Sequence, residues 1–126
     1  MTFMQLQNAD GKYVSPDDLT FAAAAAGADW FSVPGMGVSM VNAKGANSWP
    51  ISTASFILVY KEPADKAASK AVIDFFDWSF KNGSKMATDL DYVPMPGAVV
   101  GDIQKMWSTD IKDSGGKPLF AMNEAL

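Results

Sequence analysis

Carboxylates that lie close together along the chain are the first residues that could do chemistry. The pairs are Asp17 with Asp18, Asp74 with Asp77, and Asp89 with Asp91. Paired carboxylates serve as general acid and base or hold a hard cation. The first pair also suits the first turn of a helix, where negative charge is stabilising, and the second suits a solvated helix face with lysines nearby. We therefore expect surface charges at all three pairs, with no catalytic residue and no metal site.

Hydroxyl side chains form the second candidate group. Ser52, Thr53 and Ser55 could donate hydrogen bonds to an oxyanion. The chain offers no histidine to act as their base and no arginine to bind an anion beside them. Hydrogen bonding at a strand edge is the expected role, with phosphate binding by these three residues as a fallback. Gly35 and Gly37 lack the third glycine of a dinucleotide loop, so we expect only a flexible loop there.

Composition excludes several classes of protein. The 126 residues carry ten basic side chains, all of them lysine, and fourteen acidic ones, for a net charge of −4. Without arginine or a lysine cluster we expect no nucleic-acid partner. Histidine and cysteine are both absent, which removes serine–histidine and cysteine catalysis and the usual zinc ligands. We expect neither an enzyme nor a cofactor. The first residues lack the basic start and apolar stretch of a signal peptide.

The apolar pattern predicts two short strands and four helices to position these residues. The strands are expected over 2–7 and 12–14, and the helices over 15–27, 64–82, 84–90 and 97–110. Ser15 is the expected N-cap of the first helix. Residues 31–49 form a long loop with at most one short strand, at 38–41. The tryptophans could stack on a ligand, but Trp30, Trp49, Trp78 and Trp107 are expected in cores or interfaces.

One further strand and the longest helix need neighbours that this chain does not supply. Residues 52–60 form a predicted strand with a continuously apolar second half, which is typical of strands buried on both faces. The 64–82 helix has large apolar side chains on more than one face and must be covered from more than one side. Either the strand partners come from other chains, or this is a piece of a longer protein.

Several segments resemble those of one known family. The longest is Ser48–Lys61, SWPISTASFILVYK, and Leu90–Pro96, LDYVPMP, is similar to the family segment LDYVPLP. Further matching stretches are 9–12, 14–16, 27–30, 71–78, 82–83, 111–113 and 116–119. Only the loop over 34–47 differs freely from the family pattern. In these features the chain resembles the periplasmic phosphate-binding proteins, the receptor subunits of the phosphate ABC importer.

The resemblance implies a periplasmic-binding-protein type II architecture, a two-lobed α/β fold with a phosphate cleft between the lobes. The family takes its phosphate ligands from the N-terminal part of its chain, and none of those motifs occurs here, so the resemblance is to the C-terminal segment alone. We therefore expect an α/β fold that is incomplete as a two-lobed structure. Residues 1–47 would end the second lobe, 48–60 would form a crossover and hinge strand, and 61–126 would supply the C-terminal helical part of the first lobe.

The resemblance also implies a function for the parent protein, a periplasmic receptor that binds inorganic phosphate and delivers it to an ABC permease. This chain would be a scaffold and hinge segment unable to bind phosphate alone. The alternative is a stand-alone, non-enzymatic interaction module. Because the missing neighbours would leave an apolar patch bare, we expect the isolated chain to self-associate as a homo-oligomer, most simply a dimer that exchanges or shares elements.

Overall fold

The computed structural model describes residues 2–122, which contain four α-helices and a two-stranded antiparallel sheet. The elements are β1 (Leu6–Gln7), β2 (Tyr13–Val14), α1 (Asp18–Gly27), α2 (Lys66–Asn82), α3 (Ser84–Asp89) and α4 (Gly97–Asp110), with a 3₁₀ turn at Pro34–Met36. The predicted mixture of about four helices and a few strands is confirmed. None of these helices combines the length and apolar character needed to cross a membrane. The chain divides into a first unit, residues 1–56, and a second unit, residues 57–126.

The first unit begins with the predicted hairpin, although its strands are shorter than the sequence pattern indicated. The paired residues are Leu6 with Val14 and Gln7 with Tyr13. Asn8 N–H donates to the Lys12 carbonyl at 2.9 Å and Gly11 N–H donates to the Asn8 carbonyl at 2.9 Å, which closes the turn. Gly11 has φ +75°, a left-handed conformation that glycine adopts without steric cost.

The start of α1 differs from the prediction, because Asp17 and not Ser15 is its N-cap. Thr20 N–H donates to the Asp17 carboxylate at 2.9 Å, and Asp17 N–H donates to the Thr20 hydroxyl at 3.1 Å. This reciprocal capping box satisfies two backbone donors at once. The Ser15 hydroxyl instead accepts a hydrogen bond from Gln5 at 3.2 Å. The helix ends at Gly27, as predicted.

Two of the four tryptophans lie in the core of the first unit, as predicted. Trp30 is buried, and its indole N–H donates to the Ala25 carbonyl at 2.8 Å. Trp49 is also buried; it meets Phe21 edge to face at a centroid distance of 6.0 Å, and its backbone N–H donates to the Thr20 carbonyl at 3.0 Å. The Trp30 indole thus contacts α1 within its alanine run.

Helix α2 opens the second unit. It begins at Lys66 rather than at residue 64, because the Asp65 carboxylate accepts the N–H groups of Ala67 and Ala68 at 3.0 Å and so fixes the N-cap. It ends before Gly83, as predicted. Helices α3 and α4 also occur where the sequence placed them, α4 with the predicted bounds.

The core of the second unit is an aliphatic and aromatic cluster. Its buried members are Ile73, Trp107, Ile111 and Phe120. Trp107 stacks on Phe80 at 5.9 Å between ring centroids and meets Phe120 edge to face at 5.4 Å. This cluster joins one face of α2 to α4 and to the segment after it, and confirms the prediction that Trp107 is a core residue.

Two predicted strands do not form within residues 2–122. The stretch 38–41 belongs to the long loop, and 52–60 has no strand structure. No backbone hydrogen bond joins residues 53–60 to another described backbone group. A strand is stabilised by pairing with a neighbour, and no neighbouring strand is present for this stretch among the described residues. The boundary between the two units follows Phe56, inside the predicted crossover 48–60; the hinge and lobe assignments stay predictions.

Candidate functional site

The segment Ile57–Tyr60, here called the open segment, exposes four large apolar side chains in a row. Their exposed fractions are 57% for Ile57, 94% for Leu58, 40% for Val59 and 82% for Tyr60. Isolated exposed apolar residues are ordinary, but a contiguous run is typical of a surface that binds another surface. Since its backbone groups are also unpaired, the open segment is the first part of the candidate site.

The C-terminal end of the open segment is held in place by Lys61. Its carbonyl accepts the Lys112 N–H at 2.8 Å, and its ammonium lies 2.6 Å from the Asp110 carboxylate. The hydrogen bond from Lys61, reinforced by the hydroxyl of Thr109, lowers the pKa of Asp110 below its ordinary value of 3.8. Both contacts attach the segment to the residues at and just after the end of α4.

An apolar stripe on α2, formed by Val72, Phe75 and Trp78, is the second part of the candidate site. Residues three apart lie on one side of a helix. Between 43% and 59% of each side chain is exposed, whereas Ile73 on another side of the helix is 1% exposed in the core. The stripe explains why the sequence of this helix is apolar on more than one face. Trp78 differs from the other three tryptophans in lying outside both cores.

The three candidate hydroxyl side chains, Ser52, Thr53 and Ser55, differ in exposure. Ser52 is buried and its hydroxyl donates to the Trp49 carbonyl at 3.1 Å, while Thr53 and Ser55 are exposed. The Ser52 proton is thus already engaged, and the three side chains do not share one environment. Phosphate binding by these residues stays the fallback prediction.

The carboxylate pairs take structural and surface positions. Asp17 caps α1 and Asp18 lies in its first turn. The ammonium groups of lysines at i−4 or i+4 contact Asp74, Asp77 and Asp89 at 2.6–2.7 Å. Exposed pairs of this kind contribute about 0.3–0.5 kcal/mol each. Asp77 departs from the solvated-face prediction, since its side chain is 16% exposed and also accepts from the Gln104 amide at 2.7 Å.

A groove of about 480 Å³ runs beside Asp77. Its walls combine the ion pairs of α2 with apolar side chains from the segment after α4. The lining residues are Lys70, Asp74, Asp77, Lys81, Gln104 and residues 118–122. Because each lysine is already paired with an aspartate, the groove has no free cation among these residues with which to hold an anion. Among residues 2–122 no group of three or more acidic side chains could hold a metal ion.

The glycine pair at 35 and 37 forms a tight turn rather than a phosphate loop. Gly35 has φ +75°, and Met36 with φ +58° follows it. Met36 is buried, so the turn is fastened to the first unit by its side chain. No strand runs into this turn, which a dinucleotide-binding loop would require.

The sequence reasoning missed the most connected polar residue of the first unit, Asn8. Its buried amide donates to the carbonyls of Gly45, Ala46 and Ser48 at 2.9–3.2 Å. Its side-chain oxygen accepts from the N–H groups of Asp10 and Lys12. The pattern Asn-Ala-Asp-Gly indicated the turn but not the contacts to residues almost forty positions away.

Comparisons with known proteins agree with the incomplete architecture. No family model matches the chain. The phosphate-binding protein PstS of Pasteurella multocida is 48% identical over 120 residues, which are 95% of this chain and 35% of the relative. PstS of Haemophilus influenzae is 45% identical over 89% of this chain and 34% of its own length. PstS of Xylella fastidiosa strain 9a5c is 44% identical over 89% of this chain and 31% of its own length.

This α/β chain with exposed apolar side chains is thus similar along nearly all its length to phosphate-binding proteins. The similarity is to one segment of these relatives. The chain spans about a third of the length of the curated relatives it matches.

Proposed function

We propose that this chain is the scaffold and hinge segment of a non-enzymatic periplasmic receptor that binds phosphate for ABC-type import. The observation that carries the proposal is the 43–48% identity with phosphate-binding proteins over 89–95% of this chain. About two thirds of each relative lies outside the match. The phosphate ligands of the receptor would come from that remaining part.

The chemistry of the described residues supports a segment that does not bind phosphate alone. Strong phosphate sites combine charged donors with several converging hydrogen bonds. The chain has no arginine, and four of its lysines are engaged by aspartates, namely Lys61, Lys70, Lys81 and Lys85. Among the candidate hydroxyls, that of Ser52 donates to the Trp49 carbonyl, and Thr53 and Ser55 are exposed.

Calorimetric titration with inorganic phosphate tests this proposal. The isolated chain should give no saturable heat. A chimera, in which this chain replaces the matching segment of the Pasteurella multocida protein, should bind phosphate with a stoichiometry near one. A folded chimera that fails to bind would contradict the receptor assignment. Saturable binding by the isolated chain would contradict the scaffold role, and alanine at Ser52, Thr53 and Ser55 would then test the fallback site.

A self-associating interaction module is the second candidate function, and the bare open segment and α2 stripe favour it. Light scattering on the isolated chain would then give a mass of at least twice 13.5 kDa. Self-association without any phosphate binding by the chimera would support this alternative over the receptor segment.

A further inference from the structure

The end of α2 carries a pair of residues that is prone to spontaneous deamidation, Asn82 followed by Gly83. Asparagine is one of the thermolabile residues. Glycine has no side chain to shield its backbone nitrogen, so that nitrogen can reach the amide of the preceding side chain. The other four asparagines of the sequence are followed by alanine, serine or glutamate. Asn82 is also exposed to the water that the reaction consumes.

The chain itself supplies both reacting groups. The Gly83 nitrogen loses its proton to water or hydroxide and attacks the Cγ atom of Asn82. A carbon–nitrogen bond forms, the bond from Cγ to Nδ2 breaks, and Nδ2 takes up a proton from water and leaves as ammonia. Water then opens either carbonyl of the resulting succinimide ring, which gives aspartate or isoaspartate. One water is consumed, one ammonia is released, and nothing is oxidised or reduced.

The structure holds both of these groups in hydrogen bonds. The Gly83 N–H, which must lose its proton, donates to the Ser79 carbonyl at 2.7 Å. The Asn82 amide, which must leave, donates to the Trp78 carbonyl at 2.9 Å. Both acceptors lie in the preceding turn of α2, so the two groups become free together when the last turn of the helix opens. Helix ends open far more readily than helix centres.

Packing, rather than backbone conformation, explains the glycine at position 83. Its φ of −89° is open to any residue. A Cβ atom at this position, however, would lie 2.6 Å from the Ser79 carbonyl oxygen. The close approach at the end of α2 therefore favours the one residue type that leaves the nitrogen after Asn82 unshielded.

We propose that Asn82 is a deamidation site, which stays closed while the last turn of α2 is folded and reacts when that turn opens. The new carboxylate would lie at the negative end of the helix dipole and could no longer donate to the Trp78 carbonyl. Modification therefore weakens the turn that held the site closed, and the loss of ammonia makes the change one-way. The net charge goes from −4 to −5, because a neutral amide becomes a carboxylate.

Incubation of the whole chain in heavy-oxygen water at neutral pH tests the site, because each deamidation adds a heavy oxygen from the solvent. Digestion at acid pH and mass spectrometry then give the rate at each asparagine, in the folded chain and in the chain unfolded by guanidinium chloride. In the unfolded chain Asn82 should take up the label faster than Asn8, Asn42 and Asn47. In the folded chain its rate should be at least about tenfold lower, as expected for a group released only by local opening.

Two lysine variants test whether the last turn of α2 controls the rate. Lys81→Ala removes the ion pair with Asp77 near the end of the helix, and Lys70→Ala removes the matching pair with Asp74 nearer its start. The two lysine side chains are similarly exposed, at 54% and 56%. Lys81→Ala should raise the ratio of the folded rate to the unfolded rate about two- to threefold, as expected for an exposed pair beside a helix C-terminus. Lys70→Ala should leave that ratio unchanged.

Three results would overturn the proposal. Equal Asn82 rates in the folded and unfolded chain, or equal rate ratios in the two lysine variants, would contradict control by the last turn of α2. Label that appears as fast in the same peptide of the Asn82→Gln variant would place the modification at another residue. An unchanged rate for Gly83→Ala in the unfolded chain, where packing no longer matters, would contradict attack by the Gly83 nitrogen, since the added methyl group should slow it.

Discussion

At the residue scale, Asn8 shows how one side chain can organise a loop that has little regular structure. Its amide and carbonyl groups reach five backbone groups on two parts of the chain. Every hydrogen-bonding position of this buried amide is used, and three carbonyls of the loop over 31–49 gain a partner that they would otherwise lack.

Replacing Asn8 with alanine should destabilise the first unit by about 2–4 kcal/mol, because several backbone groups lose their partner at once. Asn8→Asp keeps the two accepted hydrogen bonds but places a buried carboxylate oxygen against three backbone carbonyls, so it should destabilise the first unit at least as much as Asn8→Ala. Urea unfolding measures both effects. Gln7→Ala is the control, since that exposed side chain makes one hydrogen bond, at 3.2 Å to Gly11; an equal effect of both alanine variants would contradict the role assigned to Asn8.

The end of α1 packs so closely on the loop that Gly27 has no room for a side chain. A Cβ atom at this position would overlap the carbonyl oxygen of Lys44. Gly27→Ala should therefore destabilise the first unit by about 1–3 kcal/mol, the usual cost of overpacking, in thermal unfolding. Gly37→Ala, where nothing lies within 4 Å, should change stability by less than about 0.5 kcal/mol. A neutral Gly27→Ala variant would mean that the loop moves away without cost.

At the element scale, the hairpin after α4 and the end of α4 are fastened by aspartates. Asp113 accepts the N–H groups of Lys117 and Gly115 at 3.0 and 2.9 Å, with an isolated bridge between Lys112 and Pro118. The hydrogen bonds from the backbone of Lys117, and then of Gly115, lower the pKa of Asp113 below 3.8. The hydrogen bond from the Lys61 ammonium likewise lowers the pKa of Asp110.

These shifts give a predicted pH dependence. A carboxyl whose pKa is lower in the folded state stabilises the protein at pH values above its unfolded pKa, about 4, and that contribution is lost as pH falls through the folded pKa. The free energy of unfolding should therefore decrease below about pH 4. Asp110→Asn and Asp113→Asn should each make the decrease shallower, as measured by denaturant titration from pH 2 to 6. An unchanged slope in both variants would contradict the prediction.

At the scale of the whole molecule, residues 2–122 bury apolar side chains in both units and leave many large apolar side chains exposed. The open segment and the α2 stripe belong to the second unit, whose core uses other faces of the same helix. Burial of such surface contributes about 25 cal/mol per Å². This driving force would favour any surface that covers these side chains, whether that of the remaining part of the proposed receptor or that of a second copy.

Self-association of the isolated chain should therefore depend on the stripe. Trp78→Lys should lower the average mass measured by light scattering at high protein concentration, because a charge resists removal from water. Leu19→Lys is the control, since Leu19 is 82% exposed on α1 and belongs neither to the open segment nor to the α2 stripe. A chain that is monomeric at every concentration would contradict the expected homo-oligomer, and equal effects of the two variants would mean that the association is non-specific.

Local signals in the sequence determined much of the secondary structure of this protein. The bounds of α4, the ends of α1 and α2, the hairpin at Asn8 and the family resemblance follow from apolar spacing, glycines and short motifs, because helices and tight turns satisfy their hydrogen bonds among near neighbours. Only the tertiary structure decided which loop Asn8 supports and which face of α2 stays exposed. The strand predicted over 52–60 is the clearest case, since a strand needs a partner distant in sequence and none lies within the described residues.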